Sequence, residues 1–339
     1  MLIMVGALGV NIRLPEVHLP WNSGGAGPDG AGKVLQWSEV EMEEGVYEYA
    51  HGGSGLPVLF LHGWGVSPRT YRESLAALAS VGCRVVAPFM PGLGRAPRLA
   101  SRERSFEAYA DWVVRFLDAA GFTSPVVATG HSFGGGVAIQ VAHDRKDLVR
   151  SAILLNPVGG PVGFSIGGPV RPMAGRHIWE WGEELGVDLL TGSSIFRVLP
   201  AVAEGVLPNL LHANVLEVLK LVNVVRRADL MAEMGGIGRS GPPVTVVWSD
   251  RDRLVPRAAV TGLAHSAGAP LVVTEGSHTW LIGDPEGFAD LMLRTLVAQG
   301  MESDLIGAGI EGTGTDMGVV LLAAVEDAFG GEADLEADA

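Results

Sequence analysis

Short apolar runs that end at glycine or polar residues alternate along most of this chain with segments of helical spacing. The runs "LPVLFL", "CRVVAP", "SPVVATG" and "SAILLN" have the length and composition of buried strands. Between them, "YRESLAALASVG" and "SFEAYADWVVRFLDAAG" space their apolar residues as amphipathic helices do. The strand pattern resumes late in the chain with "PPVTVVWS" and "APLVVT". Strands that alternate with helices predict the α/β class, with a mostly parallel central sheet covered by helices on both faces.

The alternation is interrupted over a long segment, where "LLHANVLEVLKLVNVVRRADLM" is typical of helices. The simplest interpretation is a helical insertion between strands of one sheet. Ahead of the first strands, the Gly/Pro-rich stretch "WNSGGAGPDGAGK" predicts a loop. The sequence therefore predicts five segments: a partly ordered N-terminal lead-in (1–45), the first part of an α/β core (46–160), a helical insertion (161–240), the second part of the core (241–300) and an acidic C-terminal tail (301–339).

The charge of the chain is concentrated at its end. The net charge is −14, but residues 301–339 hold ten acidic residues and no Lys or Arg, which leaves a net charge of −4 on the rest. An acidic chain argues against nucleic acid as a partner. One cysteine, Cys83, cannot form an intramolecular disulfide, and the sequence has no Cys/His cluster with metal-ligand spacing. With no secretory signal and no apolar run of about 20 residues, we expect a cytoplasmic protein without a membrane span.

The stretch "VVATGHSFGGGVA" places a serine and four glycines at the end of a predicted strand, directly before a predicted helix. This matches G-x-S-x-G, the nucleophile elbow, in which a sharp turn exposes the serine hydroxyl above the sheet. Side chains at Gly130 and Gly134 would collide with the neighbouring strand and helix, and Gly135 and Gly136 let that helix approach the sheet. Ser132 is then the candidate nucleophile. The alternative is a glycine-rich turn with an incidental serine.

A serine nucleophile needs a base, and the base needs an orienting acid. With the elbow motif, the chain order is Ser, then Asp or Glu, then His. "VTVVWSDRDRLVP" offers Asp250 and Asp252 after a late strand, of which we favour Asp252, and "EGSHTW" offers His278 after the last strand. Either aspartate alone is also consistent with a solvated loop carboxylate. His62 and His131 lie in glycine turns beside this predicted site, where we expect them to hold the loops by hydrogen bonds.

An oxyanion hole needs two backbone N–H donors that face the developing negative charge. Phe133 supplies one as the residue that follows the serine. The loop after "VLFLHG" supplies the other, and Trp64 is the natural donor. The alternative for this loop is an ordinary turn at the end of a strand.

The motifs "LFLHGWG", "RVVAPFMPGLGRA", "GHSFGGGVA", "WSDRDRLVP" and "GSHTWLIGDPEGFADLM" together resemble the α/β-hydrolase superfamily, specifically its cap-bearing serine hydrolases. The resemblance covers about residues 46–155 and 241–298 and implies the α/β-hydrolase fold. It implies Ser132 as nucleophile, His278 as general base and acid, Asp252 as its orienter, and the Trp64 and Phe133 amides as the oxyanion hole. One departure is Phe89 and Met90, where family members commonly carry an acid.

The same resemblance makes the insertion a helical cap over the serine. Its apolar residues indicate a pocket for an acyl or aromatic group, with substrate-binding candidates Trp179, Trp181 and Phe196. The alternative is that these residues form the cap's own core and its seam with the sheet domain. No cofactor and no metal are expected, and the oligomeric state is left open.

The function predicted is cleavage of a carboxylic ester, or a related acyl bond, of a small apolar substrate through an acyl-enzyme. Alternatives on the same triad are carbon–carbon bond hydrolysis of ring-cleavage products and cofactor-free haloperoxidase-like or lactonase-like activity. The non-enzymatic alternative is a ligand-binding member of the fold with low turnover.

Overall fold

The computed structural model describes residues 2–5, 10–13, 35–99, 104–161 and 215–306. Its ten described strands form one sheet in the order β2-β1-β10-β9-β8-β7-β5-β6-β4-β3. The strands are β1 (Leu2–Val5), β2 (Val10–Arg13), β3 (Leu35–Met42), β4 (Gly45–Gly52), β5 (Leu56–Leu61), β6 (Cys83–Pro88), β7 (Val126–His131), β8 (Val149–Leu155), β9 (Val244–Ser249) and β10 (Leu271–Thr274).

The six central strands run parallel to one another; in sheet order they are β10, β9, β8, β7, β5 and β6. Every residue of β7 and β9 is buried, as expected of strands covered on both faces. The edges are antiparallel: β4 and β3 extend one side, and the β1–β2 pair extends the other. The expected α/β-hydrolase architecture, a mostly parallel sheet between helices, is confirmed.

The described helices cover the two faces of the sheet. They are α1 (Arg72–Ala79), α2 (Phe106–Ala119), α3 (Phe133–Asp144), α4 (Val215–Arg226), α5 (Met231–Ser240), α6 (Arg257–Ala267), α7 (Trp280–Gly283), α8 (Pro285–Ala298) and α9 (Glu302–Ile306), with a 3₁₀ turn at Pro68–Tyr71. Alternate residues of one strand enter different cores: Leu59 and Leu61 pack under α2 and α3, whereas Val58 and Phe60 pack under α1 and α8.

The sheet begins before residue 46, where we placed the start of the core, because β1, β2 and β3 lie within the predicted lead-in. The Gly/Pro-rich stretch 21–33, which is predicted to be a loop, and the predicted tail from residue 307 onward lie outside the described residues. Of the predicted cap, residues 215–240 are described and hold α4 and α5. Over the described part of the chain, no helix combines the length and the hydropathy that a membrane span needs.

Parallel strands bring the residues that follow them to one edge of the sheet. His62 follows β5, Ser132 follows β7, Asn156 follows β8 and Asp252 lies just past β9. His278 lies in the loop between β10 and α7. Residues that are more than 200 positions apart in sequence therefore meet at the carboxyl edge, which is where open α/β sheets place their sites.

Candidate active site

Ser132 lies in a sharp turn between β7 and α3 whose backbone is strained. Its φ of 53° and ψ of −114° belong to a region that non-glycine residues rarely adopt. The glycines on either side leave no room for side chains: a Cβ at Gly130 would lie 2.1 Å from the Gly134 carbonyl oxygen, and one at Gly134 would lie 2.0 Å from that of Leu61. A Cβ at Gly136 would meet Phe106 on α2, so this glycine serves helix packing. The turn has the geometry expected of a nucleophile elbow.

The predicted base and acid form a buried pair. His278 Nδ1 donates to Asp252 Oδ2 at 2.7 Å, and the two side chains are 4% and 0% exposed. With Nδ1 protonated, Nε2 is the acceptor nitrogen of the neutral ring. The pair therefore has the tautomer that a general base acting on a hydroxyl requires.

The Asp252 carboxylate accepts hydrogen bonds on both oxygens. Oδ1 accepts from the amides of Leu254 at 2.7 Å and Val255 at 2.8 Å. Oδ2 accepts from the Asn156 side-chain amide in addition to His278. Several donors on one buried carboxylate satisfy its oxygens and fix its orientation.

Asp250, the competing candidate, has a different role. Its Oδ1 accepts from the Gly276 amide at 3.0 Å, and it lies 3.7 Å from Arg251 at the surface. This carboxylate ties the β9 loop to the β10 loop, and the structure puts Asp252, not Asp250, against His278.

Ser132 and His278 line one pocket, together with Trp64 from the loop after β5. The cavity has an empty volume of about 510 Å³, part of which is open to solvent. Apolar side chains supply much of its wall. They include Val225 of α4, and Leu254 and Val255 of the loop after β9 that carries Asp252, here called the acid loop. The three substrate-binding candidates of the insertion, Trp179, Trp181 and Phe196, lie outside the described residues.

The loop that carries Trp64 passes directly beside the elbow. A Cβ at Gly63 would lie 3.6 Å from the Ser132 Cβ and 3.2 Å from His131 Nδ1. Phe133 begins α3, and the first N–H groups of a helix have no acceptor within the helix. The two predicted oxyanion donors thus lie on separate segments next to Ser132: Trp64 on the loop after β5, and Phe133 at the start of α3.

His62 and His131 hold the surrounding loops by hydrogen bonds, as predicted. His62 Nδ1 donates to the Gly63 carbonyl at 2.9 Å, and its Nε2 accepts from the Met90 amide at 3.0 Å. Burial lowers the pKa of His62 from 6.5 to about 4, so its ring is neutral near pH 7. The contact also gives the Phe89–Met90 loop, which lacks the acid common in the family, a polar anchor through its backbone.

Sequence reasoning missed Asn156 and Tyr71. Asn156 is fully buried, adopts a φ of 45°, and donates to both Asp252 and Ser249 Oγ, the latter at 2.6 Å. A polar residue directly after the buried strand "SAILL" was the available signal for it. Tyr71 sits in a helical segment with no motif around it, and only its tertiary contacts reveal its place beside the pocket.

The residues of the described chain contain no group of three or more His, Cys, Asp or Glu side chains that could hold a metal ion.

Comparison with known proteins identifies the class. The model of the alpha/beta hydrolase family matches residues 58–291, which include the elbow, the acid loop and His278. The chain belongs to this family. The match supports hydrolytic chemistry and leaves the substrate open.

Two relatives of this chain carry different functional names. A protein of Mycobacterium phage D29 that is named as a non-heme haloperoxidase is 27% identical over 76% of this chain and 93% of its own length. The dihydrolipoyllysine-residue acetyltransferase component of an acetoin cleaving system from Cupriavidus necator is 31% identical over 72% of this chain. The match spans 63% of that relative.

Among solved structures, a thermophilic esterase from Thermogutta terrifontis superposes with a TM-score of 0.57 at 20% identity, over 78% of this chain and 99% of its own. At this identity the likeness concerns the fold.

Proposed function

We propose that this protein is a serine hydrolase that cleaves a carboxylic ester, or a related acyl bond, of a small apolar substrate. The observation that carries the proposal is the buried His278–Asp252 pair, 2.7 Å between Nδ1 and Oδ2, on the wall of the pocket that Ser132 also lines. A nucleophile, a base and an orienting acid in this relation are the constellation of acyl transfer through a serine.

In the proposed mechanism, Ser132 Oγ attacks the carbonyl carbon while His278 Nε2 takes its proton. The tetrahedral oxyanion lies between the Trp64 and Phe133 amides. His278 then gives the proton to the alcohol oxygen, the C–O bond breaks, and an acyl-serine remains. Water attacks this ester with His278 as base, which releases the carboxylic acid and returns the proton to Ser132. Asp252 holds the ring and stabilises the imidazolium that forms in both steps.

The apolar wall of the pocket supports the substrate class. Val225, Leu254 and Val255 line it, and desolvation of an acyl chain against such residues is worth about 0.8 kcal/mol for each buried CH₂. Leu254 and Val255 also hold Asp252 by their amides, so one loop both orients the acid and forms the acyl wall. We infer that segment 161–240 acts as the cap, since Val225 of α4 already reaches the pocket from this segment.

Hydrolysis of p-nitrophenyl esters of graded acyl length tests the proposal. We expect the wild type to turn over short and medium esters and Ser132→Ala to lose at least a thousandfold in kcat/KM, because removal of a triad member costs about this much or more. Equal rates for wild type and Ser132→Ala would contradict it. Turnover of a vinylogous diketone with no serine-dependent ester hydrolysis would favour the carbon–carbon alternative instead.

A further inference from the structure

Three hydrogen bonds join four groups in the wall of the pocket. The Gly63 amide donates to Tyr71 Oη at 3.3 Å, Tyr71 Oη contacts His131 Nδ1 at 2.8 Å, and His131 Nε2 contacts the His278 carbonyl oxygen at 2.9 Å. Tyr71 and His131 are 1% and 2% exposed. This hydrogen-bond chain therefore runs from the Gly63–Trp64 loop, through the residue before Ser132, to the backbone of His278.

The donors and acceptors of this chain have one consistent direction. A carbonyl oxygen only accepts, so His131 Nε2 carries a hydrogen and donates to His278. Burial lowers the pKa of His131 well below its usual value, with the nearby His278 as a further cause, so the ring is neutral and Nδ1 is an acceptor. Tyr71 Oη then donates to Nδ1. Burial also raises the pKa of Tyr71, which keeps that hydroxyl protonated.

These hydrogen bonds connect three separate segments whose relative positions decide the reaction geometry. Gly63 precedes Trp64, the predicted oxyanion donor; His131 precedes Ser132; and His278 is the predicted base. The ring centroids of His278 and His131 lie 4.7 Å apart. Apolar side chains could fill the volume of Tyr71 and His131 without any desolvation cost. Buried polar groups carry such a cost, and only satisfied hydrogen bonds offset it. A polar chain at this place favours a role in geometry over one in packing alone.

We propose that Tyr71 and His131 are positioning residues that fix the His278 backbone and the Gly63–Trp64 loop relative to Ser132. The inference rests on the proposed hydrolase function. Both residues line the pocket, but the proposed role requires no contact with the substrate. Each acts through the backbone it holds: His131 through the carbonyl of His278, and Tyr71 through His131 and the amide of Gly63.

Four single variants and one double variant test the inference. Tyr71→Phe removes only the hydroxyl, His131→Leu removes both ring nitrogens, and His131→Gln keeps an amide N–H near the position of Nε2. Tyr47→Phe is the matched control, because Tyr47 is also fully buried and its hydroxyl donates to a backbone carbonyl, that of Pro97 at 3.3 Å, away from the pocket. For each variant, a fluorophosphonate end-point titration counts competent Ser132 sites, and ester kinetics give kcat per site and KM.

We expect Tyr71→Phe and His131→Leu to lose about 10- to 100-fold in kcat per titrated site with KM changed less than about threefold, since a misplacement of about 1 Å can cost this much. His131→Gln should recover a large part of the loss. The double variant Tyr71→Phe/His131→Leu should be little slower than His131→Leu, because the two residues act in one chain. Tyr47→Phe should keep the wild-type kcat per site.

A purely structural role predicts fewer titrated sites or a lower Tm with wild-type kcat at the sites that remain, and that result would overturn the inference. If His131→Leu does not fold, Tyr71→Phe decides alone. Serine-dependent turnover in the wild type, together with Tyr71→Phe behaving like Tyr47→Phe, would remove the inference and leave the proposed function standing. Absence of both labelling and turnover in the wild type would remove the proposed function, and the inference with it.

Discussion

At the scale of the residue, the site depends on how the Asp252 carboxylate is held. Two backbone amides of its own loop bind Oδ1, and the side chains of Asn156 and His278 share Oδ2. Asn156 directly follows β8, and its backbone adopts a φ of 45°. A strained, buried asparagine aimed at the acid is best explained by its hydrogen bond.

Asn156→Gly tests this residue without a backbone penalty, because glycine adopts a positive φ freely. Loss of the amide donor should lower kcat about tenfold, since a hydrogen bond to a charged group contributes about 1.5–3 kcal/mol. Far-ultraviolet circular dichroism and ester kinetics are the measurements. Asn156→Asp is the companion variant and should be slower still, because it sets a second carboxylate against Asp252. Wild-type kcat in both variants would show that the contact is incidental.

The buried His62 predicts how stability depends on pH. In the unfolded chain His62 titrates near 6.5, whereas in the folded protein its pKa is about 4 because of burial. Below pH 6.5 the unfolded state binds more protons, so the free energy of unfolding falls as the pH decreases. One pKa unit corresponds to about 1.4 kcal/mol, which gives up to about 3 kcal/mol from this residue between pH 7 and 4. His131 acts in the same direction.

Urea unfolding at about pH 7.5, 6 and 5, values on both sides of the ordinary histidine pKa of about 6.5, measures this effect. His62→Asn keeps a donor and an acceptor but does not titrate, so its free energy of unfolding should fall less steeply with acidification. His265→Gln, at an exposed position of α6, is the control and should keep the wild-type slope. A wild-type slope in His62→Asn would contradict the assignment of this residue as a buried neutral histidine.

Single residues differ in how far the sequence could predict them. The order of the motifs predicts Ser132, Asp252, His278 and Trp64. In the structure, Ser132, His278 and Trp64 line one pocket, and Asp252 is hydrogen-bonded to His278. Tyr71 and Asn156 could not be found in this way, because a buried hydroxyl or amide leaves no periodic signal in the sequence. Their partners lie 60 and 96 positions away, and only the folded chain brings them together.

At the scale of the element, the elbow joins β7 to α3 so tightly that three backbones nearly touch. Gly134 faces the carbonyl of Leu61 on β5, and Gly130 faces α3. This close approach aims the helix start at the pocket, where its N–H groups favour negative charge.

Gly134→Ala measures what the close approach requires. The added methyl would lie 2.0 Å from the Leu61 carbonyl oxygen, so the strand and the helix must separate. We expect a loss of about 3 kcal/mol or more in the free energy of unfolding, in the range of severe overpacking. Gly283→Ala on α7 is the control, because nothing lies within 4 Å of its added methyl. Equal stability of both variants would contradict the packing described for the elbow.

Elements with one dominant periodicity were predictable, and those near the N-terminus were not. The central strands are continuous apolar runs, and α2 repeats buried residues along one face. In contrast, β3 alternates buried or half-buried residues with exposed acidic ones, and β1 and β2 are four residues each. Short or half-polar edge strands gain their stability from pairing with the sheet. This pairing is a long-range contact, so a local sequence pattern does not predict it.

At the scale of the whole molecule, the pocket is built from loops on several strands and from α4 of the predicted cap. Val225 of α4 lines it together with residues of the loops that carry the triad candidates. The segment between β8 and β9 therefore contributes at least one side chain to the wall of the pocket.

Val225→Phe tests this contribution. A larger side chain in the pocket should lower kcat/KM for longer acyl chains at least tenfold and leave acetyl esters within about threefold, because discrimination of one methylene is worth about 1–3 kcal/mol. Asn223→Phe adds the same ring at an exposed position of the same helix and should leave the chain-length profile unchanged. An unchanged profile in Val225→Phe would place the acyl group elsewhere.

The central claim is that Ser132 is an activated nucleophile, and covalent labelling with a fluorophosphonate probe tests it most directly. Peptide mass spectrometry of the treated wild type should find the phosphonyl group on Ser132, with no labelling in Ser132→Ala and a rate at least a hundredfold lower in His278→Gln. An unmodified Ser132 in the folded wild type, or equally fast labelling in His278→Gln, would contradict the account.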